Sequence, residues 1–298
     1  MRYPFLILFY SLFCFSQEEI SSENFFWPYN YQLPQDGIIA AKNCFVRAES
    51  STKSALLDTL KIGDSIKIID QSKNNLNLNN LNLPWVSIEY KKKGALKKGY
   101  VWKGFIAIGN TSFKNLHFIT CLSNQFKRKI TDNGYTYDQN YFVFTIKLCD
   151  ENFTLLAEKT FKHIVEENHT FTNTAVDNWG LKNISCIYRI AFNGEACGIP
   201  TEYNYFYWNG KKLDFLIGKY AVGDANAYYH TEELIFPKEK NGQPNCILKK
   251  ISDAENTDEN LEGSVFKVEE TIEYYTWNGS KIKLLKKVKK KPFFKKYE

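Results

Sequence analysis

The fold class of the C-terminal half is decided by one stretch of sequence, YFYWNGKKL at residues 205–213. A close echo of it, YYTWNGSKI, follows at residues 274–282. In both copies an aromatic run, which favours a β-strand, enters an Asn-Gly pair, and a lysine-bearing run leaves it. Because Asn and Gly both tolerate positive φ at the centre of a tight turn, each copy predicts an antiparallel β-hairpin.

Outward from these two copies, the same pattern extends over residues 109–285. Asn-Gly pairs at 193–194 and 241–242 predict further turns, and residues 141–156 predict another hairpin. The apolar spacing of residues 155–168 fits either a strand or one short helix. Repeated hairpins predict an antiparallel β domain built as stacked hairpins, as a sandwich or as propeller-like blades.

One loop of this region faintly resembles the calcium-binding loop of integrin-type propeller repeats. It reads AVDNWGLKN at residues 175–183. A calcium ion takes six to eight oxygen ligands, usually with several carboxylates. Only Asp177 supplies a carboxylate at the aligned positions. We therefore expect an ordinary turn and no metal.

Four short motifs follow one another in the N-terminal third of the chain. They are FVR at 45–47, LKIGD at 60–64, WVSI at 85–88 and GYV at 99–101. Their order and spacing resemble the bacterial SH3 family, with its Asn-Val-Arg-type opening, Leu-x-x-Gly-Asp turn and closing Gly-Tyr-Val strand. The resemblance covers about residues 40–108. It implies an SH3-like small barrel over residues 39–108, which we expect to fold by itself.

The same resemblance implies binding rather than catalysis, since such domains contact peptidoglycan or proteins through aromatic residues and loops. Trp85, Tyr100 and Trp102 are the candidate ligand-binding residues, although strand alternation also allows them to pack inside the barrel. Two features depart from the family pattern. Phe45 stands where Asn is usual, and NNLNLNNLNL at residues 74–83 is an insertion whose low complexity predicts a mobile hairpin extension.

The N-terminus has the form of a secretory signal peptide. Arg2 precedes an apolar run from Phe5 to Phe15, and small residues stand before Gln17. Cleavage between Ser16 and Gln17 would export the protein to the periplasm or the medium, with no membrane span in the mature chain. Residues 17–38 form an aromatic leader, expected to pack on a neighbouring domain or, alternatively, to offer a ligand platform.

The net charge of +6 is concentrated at the C-terminus. Residues 281–298 hold nine Lys and one Glu, a charge of +8, so the other 280 residues sum to −2. A nucleic-acid-binding protein would spread its basic residues over a face, so no nucleic-acid partner is expected. We interpret residues 286–298 as a lysine-rich tail, either solvated or in contact with an anionic surface, whose removal should leave the fold intact. Its lysines are Lys286, Lys287, Lys289, Lys290, Lys291, Lys295 and Lys296.

Export also affects how the cysteines are interpreted. Six remain in the mature chain: Cys44, Cys121, Cys149, Cys186, Cys197 and Cys246. An even number permits up to three disulfides, and their pairing stays open. No CxxC spacing, P-loop, HExxH or GxSxG motif occurs. The nearest approach to a catalytic pair is Cys186 or Cys197 with His230, and neither cysteine follows the strand-to-helix pattern of a nucleophile.

These observations together predict an exported, non-enzymatic envelope protein without a cofactor, whose SH3-like domain binds peptidoglycan or an envelope protein. Two alternatives stay open at this stage. One is an inhibitor or immunity-type protein that acts on a partner enzyme. The other is a cell-wall hydrolase whose site has no recognisable motif.

Overall fold

The computed structural model describes residues 32–165, 169–194, 197–224, 226–258 and 265–296. Within these ranges the chain is almost entirely β, arranged in antiparallel sheets of six, four and nine strands. The predicted all-β class is confirmed. The predicted signal peptide and residues 17–31 of the leader lie outside the described ranges. In the part of the chain that the structure describes, no helix is long and apolar enough to cross a membrane.

The first sheet contains the four motifs found in the sequence. Its strands are β1 (Gln35–Ile38), β2 (Cys44–Arg47), β3 (Leu56–Leu60), β4 (Ser65–Leu78), β5 (Leu81–Lys92) and β6 (Ala95–Trp102), in the spatial order β1-β4-β5-β6-β2-β3. Alternate residues of these strands, such as Val46, Ile68 and Ile88, point into one buried core. β1 lies before residue 39, the predicted start of this domain, and pairs with β4 along its whole length.

The Asn-Leu insertion forms the predicted hairpin extension, and it is a paired part of the first sheet. Residues 74–83 complete β4 and β5, which turn through Asn79 and Asn80 at φ 54° and 61°. Two central residues at positive φ are what a tight two-residue hairpin turn requires, and Asn tolerates this conformation well. Leu81 and Leu83 are fully buried, and the Trp102 indole N–H lies 3.0 Å and 3.1 Å from the carbonyl oxygens of Leu76 and Leu83.

The other two sheets follow along the chain. The second consists of β7 (Gly109–Phe113), β8 (Leu116–Asp132), β9 (Tyr135–Cys149) and β10 (Leu155–His163), in the order β10-β9-β8-β7. The third runs β11 (His169–Val176), β12 (Cys186–Gly194), β13 (Thr201–Trp208), β14 (Leu213–Asp224), β15 (Tyr228–Ile235), β16 (Cys246–Asn256), β17 (Val265–Trp277) and β18 (Ile282–Lys289), with β19 (Phe293–Lys296) also beside β17. This continuous meander corresponds to the stacked-hairpin alternative. Within the range 155–168, where a strand or a short helix was possible, residues 155–163 form the strand β10, and residues 166–168 lie outside the described ranges.

The two echoed hairpins form as predicted, but their turns differ from the expectation. β13 pairs with β14 from Trp208↔Leu213, and β17 pairs with β18 from Trp277↔Ile282. Only the glycines, Gly210 and Gly279, have positive φ. The asparagines act through their side chains: Oδ1 of Asn209 accepts hydrogen bonds from the amides of Lys211 and Lys212, and Asn278 does the same in its turn. Four residues rather than two connect each strand pair, which removes the need for a second positive φ.

The predicted turn at Asn193-Gly194 is wrong. Both residues lie in β12, paired with Thr170 and His169 of β11. Gly194 is required there for close approach, because a Cβ atom at this position would lie 2.3 Å from the carbonyl oxygen of Ile199. The second predicted turn is present: Asn241 has φ 66° and the amide of Gly242 donates to the Glu239 carbonyl oxygen.

The lysine-rich C-terminus differs from a solvated tail. β18 continues past Leu285 to Lys289, and β19 pairs with the remaining part of β17. Between them, the amide of Lys290 donates to the Glu270 carbonyl oxygen at 2.9 Å. β18 and β19 therefore follow β17 as a single interrupted edge strand. The apolar alternation ends at Leu285, and from there to Lys289 side chains of β18 on both faces are exposed.

One core joins the three sheets. It includes Leu83 and Trp102 of the first sheet, Phe118 and Phe144 of the second, and Tyr188 and Phe206 of the third. Phe118 and Tyr188 stack across the boundary with ring centroids 4.6 Å apart. The independent folding of residues 39–108 stays a prediction, and this shared core is what such a fragment would expose.

Candidate binding surface

The candidate ligand-binding residues taken from the family resemblance lie mainly in the core. Trp85 and Trp102 are 4 % and 3 % exposed, and both belong to the core shared by the three sheets. Tyr100 is half-buried and packs against the same cluster. The two tryptophans therefore pack inside the protein, which was the alternative to ligand binding. Neither can offer a ring face to a ligand without unpacking the core.

The hairpin of β8 and β9 extends beyond its sheet. β7 pairs with β8 only over Leu116–Thr120, and β10 pairs with β9 only as far as Phe142. From about residue 124 to residue 141 the two long strands therefore pair with each other and with no other strand of the described residues. They turn through Asn133 and Gly134, at φ 47° and 82°, which is the two-residue geometry that Asn-Gly favours.

One face of this arm is mainly aromatic, with Arg128 among the rings near its base and Asp132 opposite Tyr135 at its tip. The register places Phe126 opposite Tyr141, Arg128 opposite Gln139 and Ile130 opposite Tyr137 on the same face. Near the base the rings of Phe126 and Tyr141 stack with centroids 5.3 Å apart and planes 7° from parallel. The Arg128 guanidinium lies 5.5 Å and 5.8 Å from these two centroids. Cations at this distance are attracted by the ring faces, so the charge is held on the aromatic surface.

The outer rings of the same face are open to solvent. Tyr135 is 80 % exposed and Tyr137 is 48 % exposed. At the base, Lys162 of β10 places its ammonium 4.9 Å from the Phe126 ring. We refer to the set as the aromatic platform. Its members are Phe126, Arg128, Tyr135, Tyr137, Tyr141 and Lys162.

The opposite face of the arm has a different character. Its cross-strand pairs are polar: Lys129 lies 3.8 Å from Asp138, and the hydroxyls of Thr131 and Thr136 are 3.0 Å apart. Residues 131–138 are exposed, so burial does not select for aromatic residues on either face of this outer part of the arm. A stacking surface for a ligand accounts for rings on one face only, since tyrosine presents a planar apolar face together with a polar hydroxyl.

A second polar cluster crosses the third sheet, and its geometry is structural. Lys249 lies 2.7 Å from Glu232, whose side chain is 5 % exposed and also accepts a hydrogen bond from the Tyr220 amide. His230 lies 2.6 Å from Asp253 and stacks on the Tyr220 ring at 4.1 Å. The buried Glu232 carboxylate is thus paired with a cation, as a charge withdrawn from water requires, whereas Asp253 is 58 % exposed. Among the described residues, no group of three or more His, Cys, Asp or Glu could hold a metal ion.

The described residues include both cysteines considered as nucleophiles, Cys186 and Cys197. All six described cysteines are free, and five of them are buried. Burial raises the pKa of Cys186 to about 12, so this side chain is a neutral thiol at neutral pH. Cys197 is exposed, and the His230 ring is already held by Asp253. The possible catalytic pair of Cys186 with His230 thus lacks a thiolate.

A cleft of about 590 Å³ lies on the first sheet. The register across its strands pairs Asp36 with Lys67, Lys67 with Glu89 and Glu89 with Lys98. Charges of alternating sign on neighbouring strands satisfy one another. The cleft has no net charge along this row and no exposed aromatic ring, so it fits a ligand less well than the aromatic platform does.

Searches against protein-family models, curated proteins and solved structures find no match to this chain. The resemblance to bacterial SH3 domains therefore stays an expectation that rests on the four sequence motifs.

The aromatic platform was missed in the sequence, although two signals for it were present. Tyr135, Tyr137 and Tyr141 are separated by even numbers of residues, so their side chains point to the same side of a strand. They follow Asn133-Gly134, a strong signal for a tight hairpin. What the sequence alone did not show is that the neighbouring strands end early and leave this face uncovered.

Proposed function

We propose that this protein is an exported, non-enzymatic binding protein that holds an acidic glycan of the bacterial envelope, such as peptidoglycan, on the aromatic platform. The observation that carries the proposal is the exposed row of tyrosines on one face of an arm that extends from the second sheet. The predicted signal peptide at residues 1–16 supports a location where such a polymer is present.

The chemistry of the platform suits a sugar polymer with acidic groups. Tyrosine rings offer flat apolar faces to the C–H faces of sugar rings, and their hydroxyls can exchange hydrogen bonds with sugar hydroxyls. Arg128 and Lys162 supply positive charge at the base of the same face. Peptidoglycan offers both partners, since its glycan strands carry sugar rings and its stem peptides carry carboxylates.

The arm is also long enough to contact an extended ligand. Phe126 and Asp132 are separated by six residues along a strand, which is about 20 Å at the usual rise. The ligand is therefore expected to contact several sugar units along the strand direction. A compact small molecule would contact only one or two of the four rings.

Co-sedimentation with purified peptidoglycan tests the proposal. We expect wild-type protein to pellet with it, and Tyr135→Ser/Tyr137→Ser to bind at least about tenfold more weakly, a loss of about 1.4 kcal/mol. The matched control is Tyr228→Ser, which removes a 38 % exposed tyrosine from the third sheet. It should bind as the wild type does.

A second variant separates stacking from charge. Arg128→Gln should weaken binding to peptidoglycan at low salt, and the difference from wild type should shrink as salt is added. Binding to chitin, an uncharged glycan, should be unaffected by this variant. If the tyrosine double variant pellets as well as wild type, or if the protein prefers a single-stranded oligonucleotide to peptidoglycan, the glycan proposal is wrong.

A further inference from the structure

The edge of the third sheet combines positive charge with exposed apolar side chains. β18 and β19 lie along β17, which is 13 residues long, so the edge extends for about 40 Å. Eight lysines occupy residues 282–296 of this segment. Between them stand five apolar residues that are 39–70 % exposed: Leu284, Leu285, Val288, Phe293 and Phe294. We call the segment 282–296 the lysine edge.

Some of these lysines form contacts within the protein. Lys287 lies 2.9 Å from Glu273, and Lys290 lies 2.5 Å from Glu270. The ammonium of Lys286 lies 4.2 Å from the centre of the Tyr274 ring. These contacts attach the edge strand to β17. Lysines on an edge strand also prevent pairing with the edge of another molecule, which is a common role for them.

Prevention of edge-to-edge strand pairing explains the lysines but not the exposed apolar residues of the same segment. Leu285 is the extra residue at the bulge between the Leu284 and Lys286 pairs, and it is 65 % exposed. Phe294 is 70 % exposed. Large apolar side chains on a free edge favour association, the opposite of what the lysines prevent. A ligand that is both negatively charged and apolar would use the two kinds of residue together.

We infer that the lysine edge is a contact site for an anionic lipid bilayer, separate from the aromatic platform. Each lysine near such a surface is attracted to the acidic headgroups, while Leu285 and Phe294 enter the boundary between headgroups and acyl chains. A row of cations about 40 Å long matches an extended surface of many charges. A soluble polyanion would satisfy the lysines but would leave the leucine and phenylalanine exposed.

Co-sedimentation with lipid vesicles tests this inference on the full mature chain. We expect strong binding to vesicles of phosphatidylcholine and phosphatidylglycerol, and weak binding to vesicles of phosphatidylcholine alone. Lys283→Gln/Lys289→Gln/Lys291→Gln should weaken binding by about 100-fold, since each lysine contributes about fivefold. The control Lys53→Gln/Lys73→Gln/Lys93→Gln, which removes exposed lysines of the first sheet, should change little.

The apolar residues are tested separately. Leu285→Ser/Phe294→Ser should weaken binding by at least about tenfold, and this loss should persist at raised salt because it does not depend on charge. Leu56→Ser/Leu57→Ser changes two leucines that are 52 % and 48 % exposed on the first sheet and should have no effect. Thermal unfolding of every variant establishes that the fold is kept.

Two results would overturn the inference. One is equal binding of the wild type to neutral and anionic vesicles. The other is full binding by Leu285→Ser/Phe294→Ser together with complete competition by a soluble polyanion. The peptidoglycan assay is independent of both results, because none of these variants alters the aromatic platform.

Discussion

Two segments of this chain have biased composition, and they take opposite places in the fold. The insertion at residues 74–83 alternates asparagine with leucine, and its Leu81 and Leu83 are among the most buried side chains of the protein. The lysine edge at residues 282–296 alternates less regularly, and its apolar side chains are mostly exposed. Low complexity in sequence therefore says little about order in this molecule.

The difference comes from what each strand meets. Leu83 faces the core shared by the three sheets, and the Trp102 indole links the carbonyls of both strands of the insertion. The lysine edge pairs with β17 on one side, and no strand of the described residues pairs with its other side. The insertion is thus specified by apolar packing, whereas the edge is held by strand pairing and a few charge contacts.

The largest effect is expected at Leu83. Leu83→Ala removes a fully buried side chain and should lower the free energy of unfolding by about 2–5 kcal/mol. The matched change Leu285→Ala, at a residue that is 65 % exposed, should stay within about 0.5 kcal/mol. Urea denaturation followed by tryptophan fluorescence measures both. Equal effects of the two substitutions would remove the distinction between the segments.

Trp102 is expected to have the next largest effect. Trp102→Phe keeps an aromatic ring but removes the N–H that faces the Leu76 and Leu83 carbonyls, so we expect a loss of about 1–3 kcal/mol. Trp277→Phe is the control, because its indole donates to the Lys182 carbonyl in the third sheet. Both variants lose stability, but only Trp102→Phe should speed amide exchange at residues 76–83. Faster exchange there in both variants would contradict the local role of Trp102.

Truncation after Leu285 should have a smaller effect. It removes the second half of β18 and all of β19, leaving β17 as the edge strand, and we expect a loss of about 1–2 kcal/mol with the rest of the sheet intact. Calorimetry of the full and truncated chains measures this difference. A truncated chain without a cooperative transition would show that the lysine edge belongs to the core. An unchanged melting temperature would show that its strand pairing contributes nothing.

The smallest effect is expected in the pH dependence of the stability difference between the full chain and the chain truncated after Leu285. Burial raises the pKa of Glu273, but hydrogen bonds from Lys287 and Tyr275 outweigh it and hold the pKa below its ordinary value. The stabilisation is therefore present above the ordinary glutamate pKa and is lost as the pH falls through the lowered value. Because truncation removes Lys287, the stability difference between the two chains should shrink between neutral pH and about pH 3. The variant Glu273→Gln should show little such change, and a difference that grows on acidification would contradict this role.

The sequence was sufficient for features that depend on neighbours along the chain. The aromatic runs and turns at 205–213 and 274–282 predicted both hairpins correctly. The alternation of β4 and β5 was visible as well. These signals are local, because side-chain alternation and turn residues fix a hairpin without reference to the rest of the fold.

Features that depend on distant neighbours were not accessible in the same way. The asparagine-leucine insertion became ordered only because Trp102 and the second sheet cover its leucines. The aromatic platform arises because the pairing of β7 and β10 ends before the arm does. This difference in strand length cannot be read from individual residues of the sequence. The same holds for Trp85 and Trp102, whose burial is set by the packing of the first sheet on the others.

Native-state hydrogen exchange compares the two segments most directly, since exchange reports the free energy of the opening that exposes each amide. We predict that amides at residues 81–83 exchange only through global unfolding, while those at residues 286–289 exchange through a local opening of lower free energy. Residues 81–83 should lose their protection in Leu83→Ala in step with global stability. Exchange at residues 81–83 as fast as at residues 286–289 in the wild type would contradict the claim that the insertion is part of the core.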